Sequence, residues 1–334
     1  MNWKRAGLSI VVALATTALL RAQSVEDFYR SRSVTILVGF TAGGGYDVYA
    51  RTLGRHLGRH IPGNPTVVVQ NMPGAGSLKA TQYVYGVAPK DGTVLATVSR
   101  GMATDPLLGD AKFDATKFTW IGSVTSETSI CATWKTSPVK SWDDMFAREF
   151  TLGGSAAGAD PDTFALIMRN VFGAKVKLVT GYPGGNDINL AMERGEVDGR
   201  CGWSWSSLKS QKQWLGQINL LAQFAVQKNA DIPQVPWAIE RAKDNAQRQV
   251  LRLLTAGQFL GRPFFSTPDI PADRKAALRA AFDATMKDAQ FLAETGKIDL
   301  EVTPVTGQAI DAFLADLYTT PKDVVAKAAA AIQK

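Results

Sequence analysis

Short apolar runs alternate with helical patterns along the first third of the chain. Nearly continuous apolar residues at 34–40 predict a parallel strand that is covered on both faces, and 66–70 and 93–98 are predicted as the second and third strands of the same sheet. After the first run, apolar residues recur every four positions from Tyr49 to Ile61, which predicts a helix with one buried stripe. Strands and helices in this order are typical of an α/β domain.

The same alternation begins again after residue 120. The predicted elements are a segment that crosses between two halves at 121–134, and strands at 150–153, 176–180, 197–201 and 218–226. The last third has one strand-like run at 256–265 and helical patterns at 272–288 and 307–333. One strand is too few for a separate sheet, so we expect this part to complete the first half.

Glycine-rich loops follow four of the predicted strands. They lie at 41–47, 71–77, 154–163 and 181–187, each before a helical pattern. Glycine lets backbone N–H groups approach a ligand closely, and the first turn of a helix favours negative charge. The first two loops should lie together at the carboxyl edge of one parallel sheet. In the third loop, Asp160 is predicted to cap a helix that has Pro161 at its first position.

The N-terminus has the pattern of an export signal. Two basic residues precede an apolar run from Ala6 to Leu20, and Arg21-Ala22-Gln23 offers a cleavage site. Fifteen apolar residues are few for a membrane span. We expect residues 1–22 to be removed and the mature protein to be soluble in the periplasm, with an uncleaved anchor as the alternative.

Composition and charge are those of an ordinary globular protein. Apolar residues make up 46% and charged residues 20% of the 334 residues, and this length favours about two domains. The formal charge of +7 falls to +4 without the three basic residues of 1–22. That mild excess suits a small acidic ligand, although solvated lysines also explain it. Basic residues are dispersed among acidic ones, so nucleic-acid binding is not expected.

Two cysteines, Cys131 and Cys201, both fall in the second half. In an oxidising compartment such a pair can form a disulfide. Two small buried apolar side chains are the alternative. The sequence leaves both open.

Nucleotide-binding motifs are incomplete at the glycine loops. Gly44-Gly45-Tyr46 lacks the Gly-Lys-Ser/Thr of a phosphate-binding Walker loop. The dinucleotide fingerprint needs a small residue where Val48 stands and an acidic residue where Gln70 and Asn71 stand. Neither a Walker-type phosphate site nor a dinucleotide-binding site is therefore favoured.

Catalytic and metal-binding patterns are sparse. The only histidines, His56 and His60, lie four apart without the glutamate of a zinc hydrolase helix, so two surface histidines are favoured over a metal site. The nearest approach to a nucleophile elbow surrounds Ser155 and breaks at Ala157, which replaces its last glycine. We expect no catalytic residues, no metal and no cofactor.

Four motifs in order resemble the TctC/Bug family, the periplasmic solute-binding receptors of tripartite tricarboxylate transporters. They are Val38–Asp47 with Ala50-Arg51, Val67–Ser77 with Ala88–Thr93, Tyr182–Gly185 with Gly195–Asp198, and Ile232–Pro236. Their order and spacing agree over nearly the whole mature chain. The resemblance implies a type II periplasmic-binding fold, in which two α/β lobes close like a Venus flytrap over a cleft.

The resemblance also implies which residues hold the ligand. In such receptors the first two glycine loops bind a carboxylate through backbone N–H groups, hydroxyls and water, and loops of the second lobe close on its far end. Carried over to this chain, the ligand-binding residues are Phe40, Thr41, Gly44, Gly45, Tyr46, Asp47, Asn71, Gly74, Ala75, Gly76, Ser77, Ser155, Ala156, Gly158, Asp160, Tyr182 and Gly184. For Asp47 a supporting or capping role is favoured, because its carboxylate would repel a bound carboxylate.

The chain departs from the family pattern in the first loop. Thr41-Ala42 stands where relatives usually have Ala-Pro, and Tyr46 stands where they have a small polar residue. The Thr41 hydroxyl and the Tyr46 phenol could bond the ligand, or Tyr46 could narrow the cleft. Trp203 and Trp205 follow a predicted strand and could reach the cleft, although core packing is commoner.

The predicted organisation is a signal peptide (1–22), a first lobe (23–123 plus 227–334) and a second lobe (124–226). We expect a monomeric binder, with no enzymatic activity, that captures a small organic carboxylate and delivers it to the membrane permease subunits of a tripartite transporter. One alternative is a sensory receptor that reports ligand occupancy to a membrane kinase. The other is a secreted hydrolase acting through Ser155.

Overall fold

A computed structural model describes residues 23–109 and 111–333. The predicted signal peptide, residues 1–22, lies outside the described residues. Within the described ranges, no helix has both the length and the apolar character needed to cross a bilayer.

Eleven strands and thirteen α-helices make up the described chain. The strands are β1 (Val34–Val38), β2 (Val67–Asn71), β3 (Val94–Thr97), β4 (Thr119–Ser123), β5 (Ser129–Trp134), β6 (Phe150–Gly153), β7 (Val176–Val179), β8 (Gly199–Ser204), β9 (Ile218–Phe224), β10 (Pro263–Ser266) and β11 (Val305–Thr306). The helices are α1 (Val25–Arg30), α2 (Gly45–Leu57), α3 (Leu78–Gly86), α4 (Asp105–Leu108), α5 (Asp144–Ala147), α6 (Asp160–Asn170), α7 (Gly185–Glu193), α8 (Trp205–Ser210), α9 (Asn245–Thr255), α10 (Ala272–Thr285), α11 (Ala289–Lys297), α12 (Gly307–Leu317) and α13 (Lys322–Ala331).

The strands form two sheets. The first has the order β11-β4-β10-β3-β1-β2, with β1 parallel to β2 and β3 and with β10 antiparallel to its neighbours. The second has the order β7-β6-β8-β5-β9, with β6 parallel to β7 and β8 and with β5 antiparallel to β8 and β9. The last third of the chain therefore adds its predicted strand, β10, to the first sheet, as expected, and also the short strand β11, which was not predicted.

Each sheet is covered by apolar side chains on both faces. Two hydrophobic clusters flank the six-stranded sheet and two flank the five-stranded sheet. One of the latter pair includes residues of α9 and α13 beside α6 and strands β5 to β9. Helices α9 and α13 were predicted to belong to the first lobe but pack with the core of the second sheet. The lobe boundaries at residues 123 and 226 therefore remain a proposal.

The strands predicted in the first two thirds are confirmed to within two residues, except that β8 ends at Ser204, three residues beyond its predicted end. The stretch 121–134, predicted as a crossing segment, contains most of β4 and all of β5. The run at 256–265 is a strand only at Pro263–Ser266, because 256–259 form a 3-10 turn. The helical pattern at 307–333 is broken before Pro321, which disfavours helix in the preceding residue. A further helix, α11, follows Asp288, whose carboxylate accepts from the backbone N–H groups of Gln290 and Phe291.

The cap predicted for Asp160 is wrong by one residue. Helix α6 begins at Asp160 itself, its N-cap residue is Ala159, and Pro161 stands at the second helical position. The Asp160 carboxylate does not cap the helix because it is turned toward buried polar partners, the guanidinium of Arg100 and the amide of Gln258.

Cys131 and Cys201 form a disulfide bond between neighbouring strands β5 and β8. Both cysteines are fully buried in the cluster that includes α6. Of the two alternatives left open by the sequence, the structure therefore has the disulfide.

Candidate ligand cleft

A polar cleft lies between the two sheets. Its lining comes from the loop after β1, the residues after β3 and before β10, the start of α6, the start of α7, and β8 with α8. The cavity measures about 70 Å³. A water molecule needs roughly 10–15 Å³ of such space, so the cleft in this arrangement suits a compact solute.

The first glycine loop lines the cleft with five of its six predicted residues. They are Phe40, Thr41, Gly44, Gly45 and Tyr46. The Phe40 and Tyr46 rings stack with centroids 4.8 Å apart, and the Tyr46 hydroxyl accepts from the backbone N–H of Arg100 at 3.1 Å. Tyr46 therefore shapes one wall of the cleft.

Asp47 supports this loop from behind and does not line the cleft. Its buried carboxylate accepts from the Gly43 N–H at 2.9 Å, the Arg51 Nε at 2.9 Å and the Asn71 amide at 2.8 Å. Burial raises the pKa of Asp47, but these hydrogen bonds outweigh it and hold the pKa below its ordinary value. This is the supporting role favoured from the sequence.

The second glycine loop contacts the first, as expected from the parallel strands. The Asn71 amide donates to the Phe40 carbonyl at 3.0 Å, and a Cβ on Gly39 would lie 2.3 Å from the Ser77 Cβ. None of its five predicted residues lines the cleft, however. They are Asn71, Gly74, Ala75, Gly76 and Ser77.

Instead, the second loop packs against protein. Gly76 has a φ of 60°, and a Cβ placed there would be 2.9 Å from the Ala159 Cβ and 3.3 Å from the Ala156 Cβ. The Ser77 hydroxyl accepts from the Ser99 N–H at 2.8 Å. The glycine at 76 thus permits a close contact with the loop before α6.

On the side of the second sheet, Ser155 and Asp160 line the cleft. The Ser155 Oγ is buried and has no hydrogen-bond partner among the described residues. The other four predicted residues do not line the cleft. Their near neighbours are Gly76 for Ala156, Asp105 for Gly158, Gly153 for Tyr182, and Thr41 for Gly184. The Thr41 hydroxyl also donates to Asp187 at 3.3 Å, so these loops meet across the cleft mouth.

Three buried arginines that sequence reasoning missed line the cleft. Arg100 is 2% exposed, Arg200 5% and Arg262 1%. They come from three separate parts of the chain, after β3, within β8 and before β10. Burying a guanidinium is costly unless it is paired, so the partners of each decide what the cleft can bind.

Two of these arginines have acidic partners. Arg100 pairs with Asp160 at 2.9 Å, and Arg262 lies 3.4 Å from Glu127. Both guanidinium groups also donate to the Ser204 hydroxyl, at 2.7 Å and 3.0 Å. Burial lowers the pKa of Arg100, but Tyr46, Asp160 and Glu127 outweigh burial and raise it. These two charges are therefore matched within the protein.

Arg200 has no carboxylate within ion-pair distance among the described residues. Its shortest hydrogen bonds go to neutral acceptors, the Gly185 carbonyl at 2.8 Å and the Asn189 side chain at 3.1 Å. Burial lowers the pKa of Arg200 to about 9, which the charge of Asp160 opposes only in part. The cleft therefore contains one guanidinium whose charge is not matched by a nearby carboxylate.

A sequence signal for two of the arginines does exist. Arg200 interrupts a predicted buried strand, and Arg262 lies within the apolar run 256–265. A charged residue in such a run is almost never fully buried without a partner or a function. The signal marks a buried charge, but it does not show that three distant segments converge.

Both histidines contact carboxylates outside the cleft. The His56 Nε2 lies 2.6 Å from Glu294 and the His60 Nε2 lies 2.8 Å from Asp288, both on the α2–α11 side of the first sheet. No group of three or more His, Cys, Asp or Glu residues in the described chain could hold a metal ion.

A larger cavity of about 780 Å³ is lined by three acidic residues, Glu127, Asp231 and Glu301, and by Lys209. Lys209 already pairs with Asp231 at 3.0 Å and with Glu301 at 2.7 Å. Its lining is acidic in sum, so this cavity does not favour a carboxylate, and the smaller cleft is the better candidate.

Comparisons with known proteins give sequence relatives of this chain. No family model matches the chain. A UPF0065 protein in the gbd 5' region of Cupriavidus necator is 25% identical over 333 residues, covering 97% of this chain and 95% of that protein. A UPF0065 protein in the TAR-I ttuE–ttuC' intergenic region of Agrobacterium vitis is 26% identical and covers 90% of this chain and 86% of that protein.

Solved structures share the fold. The periplasmic binding protein BugD matches with a TM-score of 0.72 and 19% identity, covering 89% of this chain and 98% of BugD. The resemblance to the TctC/Bug family is confirmed. MatC from Rhodopseudomonas palustris with bound malate matches at 0.69 with 18% identity, covering 88% and 99% of the two chains. A second R. palustris protein, with adipate, matches at 0.68 with 21% identity, covering 90% and 98%.

The predicted periplasmic-binding fold is therefore confirmed by the TctC/Bug structures. The two β-sheets, with their helices, face one cleft, as the sequence pattern indicated.

Proposed function

We propose that this chain is a periplasmic solute-binding protein that captures a small carboxylate and delivers it to the permease subunits of a tripartite tricarboxylate-type transporter. The observation that carries the proposal is the charge of the cleft. Three buried guanidinium groups face two carboxylates, and within the described part of the chain Arg200 has no acidic partner. A bound carboxylate would supply the missing negative charge, and hydrogen bonds to a guanidinium are among the strongest that proteins make.

The first glycine loop provides a second anchor. Helix α2 begins at Gly45, so the backbone N–H groups of its first turn lie at the cleft wall formed by Gly44 and Gly45. Such N–H groups bind anions well. The buried Ser155 hydroxyl, which has no partner among the described residues, adds a donor from the other side. The ligand-binding residues that we propose are the predicted residues that line the cleft, together with Arg200 and Trp203, which line it too: Phe40, Thr41, Gly44, Gly45, Tyr46, Ser155, Asp160, Arg200 and Trp203.

Ligand capture would stabilise the closed arrangement of the two lobes. Contacts already cross the cleft from Thr41 to Asp187 and from Arg100 to Asp160. A ligand that touches Gly45 and Arg200 together can do so only when the lobes are closed, so binding shifts the population toward that form. A membrane permease would then recognise the closed form.

Two alternatives make different predictions. A serine hydrolase acting through Ser155 needs a base, and neither histidine lines the cleft. A sensory receptor would use the same capture and closure but would signal to a membrane protein without transport. A strain that lacks this protein loses uptake of the ligand if the chain serves transport, and it keeps uptake if the chain serves sensing.

A thermal-shift panel tests the proposal. It should include mono-, di- and tricarboxylates with their amides, and also malate and adipate, because structural relatives hold those acids. We expect at least one acid to raise the melting temperature and its amide to have no effect, with shorter acids favoured by the compact cleft. Product formation that disappears in Ser155→Ala, or a panel in which no acid stabilises the protein, would overturn the proposal.

A further inference from the structure

The disulfide lies at an irregularity of the strand that carries Arg200. Across β5 and β8, Ile130 pairs with Trp203 and Ala132 pairs with Arg200. One residue of β5, Cys131, therefore opposes two residues of β8, Cys201 and Gly202. This is a β-bulge, and Gly202, which lies in it, has a positive φ of 67°.

The bulge decides where the Arg200 side chain points. In a regular strand, residues three apart face opposite sides of the sheet. Here the extra residue puts Arg200 and Trp203 on the same side, with the guanidinium carbon 5.3 Å from the Trp203 ring centroid, and both line the cleft. Cys201 faces the opposite side, in the core beside α6.

The bulge also contacts the guanidinium itself. Arg200 donates to the carbonyl oxygens of Cys201 and Gly202, each at 3.5 Å, besides its bonds to Gly185 and Asn189. A guanidinium has five N–H donors, so these four bonds leave one for a ligand. The position of that donor depends on the backbone of residues 201 and 202.

We propose that the Cys131–Cys201 disulfide is a positioning element of the ligand site, which fixes the β8 bulge and so presents Arg200 to a carboxylate of the ligand. A bulge interrupts the hydrogen-bond ladder at this point, and the disulfide is the covalent link between the two strands there. The inference rests on the proposed function, because it assigns the disulfide a role in the same cleft. It goes further in making ligand affinity depend on a covalent bond that does not line the cleft.

A double-mutant cycle tests the proposal. Four proteins are titrated calorimetrically with malate and with adipate: wild type, Cys131→Ala/Cys201→Ala, Arg200→Met, and the variant that carries all three changes. We expect loss of the disulfide to weaken binding about tenfold, and loss of Arg200 about a hundredfold. When Arg200 is already absent, we expect loss of the disulfide to weaken binding by no more than about twofold, because it acts through Arg200.

Val139→Ala controls for a general loss of stability. Val139 is fully buried in the same apolar cluster as the two cysteines and does not line the cleft. We expect this variant to unfold more easily but to bind both acids with wild-type affinity. All titrations are made at a temperature at which circular dichroism shows every variant folded.

Three results would overturn the inference while the proposed function stands. They are wild-type affinity without the disulfide, an equal effect of its loss with and without Arg200, and an equal loss of affinity in Val139→Ala. If wild type binds no acid of the thermal-shift panel, the proposed function itself fails.

Discussion

The two glycine loops of the first sheet look alike in sequence but contact different partners. Both follow parallel strands and both open a helix, at 41–47 and at 71–77. The first presents Gly44 and Gly45 to the cleft. The second places Gly76 within contact distance of Ala156 and Ala159 from the other side of the cleft.

The difference shows that a glycine loop marks a close approach but does not identify what approaches. In the first loop the open backbone faces a polar cavity, where N–H groups can bind a solute. In the second loop the same freedom permits protein to pack against protein. The two loops are nevertheless coupled, because Asn71 of the second donates to Phe40 and to Asp47 of the first.

The largest effect is expected for Gly76→Val. A β-branched side chain would need a φ of 60° and would meet the Ala159 Cβ, so strain and overpacking together should lower the free energy of unfolding by about 3 kcal/mol. Urea denaturation measures this change. Gly86→Ala is the matched control, because a Cβ there meets no atom within 4 Å, and it should leave stability unchanged or raised. An unchanged Gly76→Val protein would mean that the second loop is not packed as described.

A smaller effect is expected for Asp47→Asn, which breaks the coupling of the loops. The Asp47 carboxylate accepts hydrogen bonds from Gly43, Arg51 and Asn71. Its replacement should lower the free energy of unfolding by about 2 kcal/mol at pH 7. Because the pKa of Asp47 is lowered in the folded protein, its contribution is present above the unfolded pKa of about 4 and is lost as pH falls through the folded pKa. Denaturation at pH 7 and pH 3 should show a difference between wild type and variant that shrinks at the lower pH. A difference that is constant with pH would rule out this role of the carboxylate.

The smallest of the three effects is expected for Gly45→Val, and it concerns binding more than stability. The new Cβ would lie 2.3 Å from the Ser207 Oγ and 3.0 Å from an Arg262 nitrogen, so both of these cleft-lining side chains would have to move. We expect a roughly tenfold loss of affinity for the acid, about 1.4 kcal/mol. Calorimetry measures it, with Gly216→Ala as the control because a Cβ there has open space. If Gly45→Val bound the acid as wild type does, the first loop would not be a ligand anchor.

Much of the fold was predictable because it follows from local patterns. Buried parallel strands give continuous apolar runs, and seven of the predicted runs contain strands at nearly the same positions. The contact between the loops at 41–47 and 71–77 followed from the order of parallel strands. Pro321 itself is the local signal for the break in the last helical pattern, because proline disfavours helix in the preceding residue.

The charges of the cleft could not be predicted in the same way. Arg100, Arg200 and Arg262 come together only when both sheets are formed, and the sequence does not show which of them finds a carboxylate. The disulfide was one of two alternatives for Cys131 and Cys201. Its place at a bulge depends on strand register, which is set by pairing between distant segments.

We propose that the cleft binds an anion because no carboxylate among the described residues pairs with Arg200. The most direct test is a calorimetric titration of the wild-type protein at pH 7 with the acid that gives the largest thermal shift, and with the amide of that acid. We expect the acid to bind at least about tenfold more tightly than its amide, since a charged hydrogen bond contributes about 1.5–3 kcal/mol. Equal affinities for the acid and the amide would contradict the account.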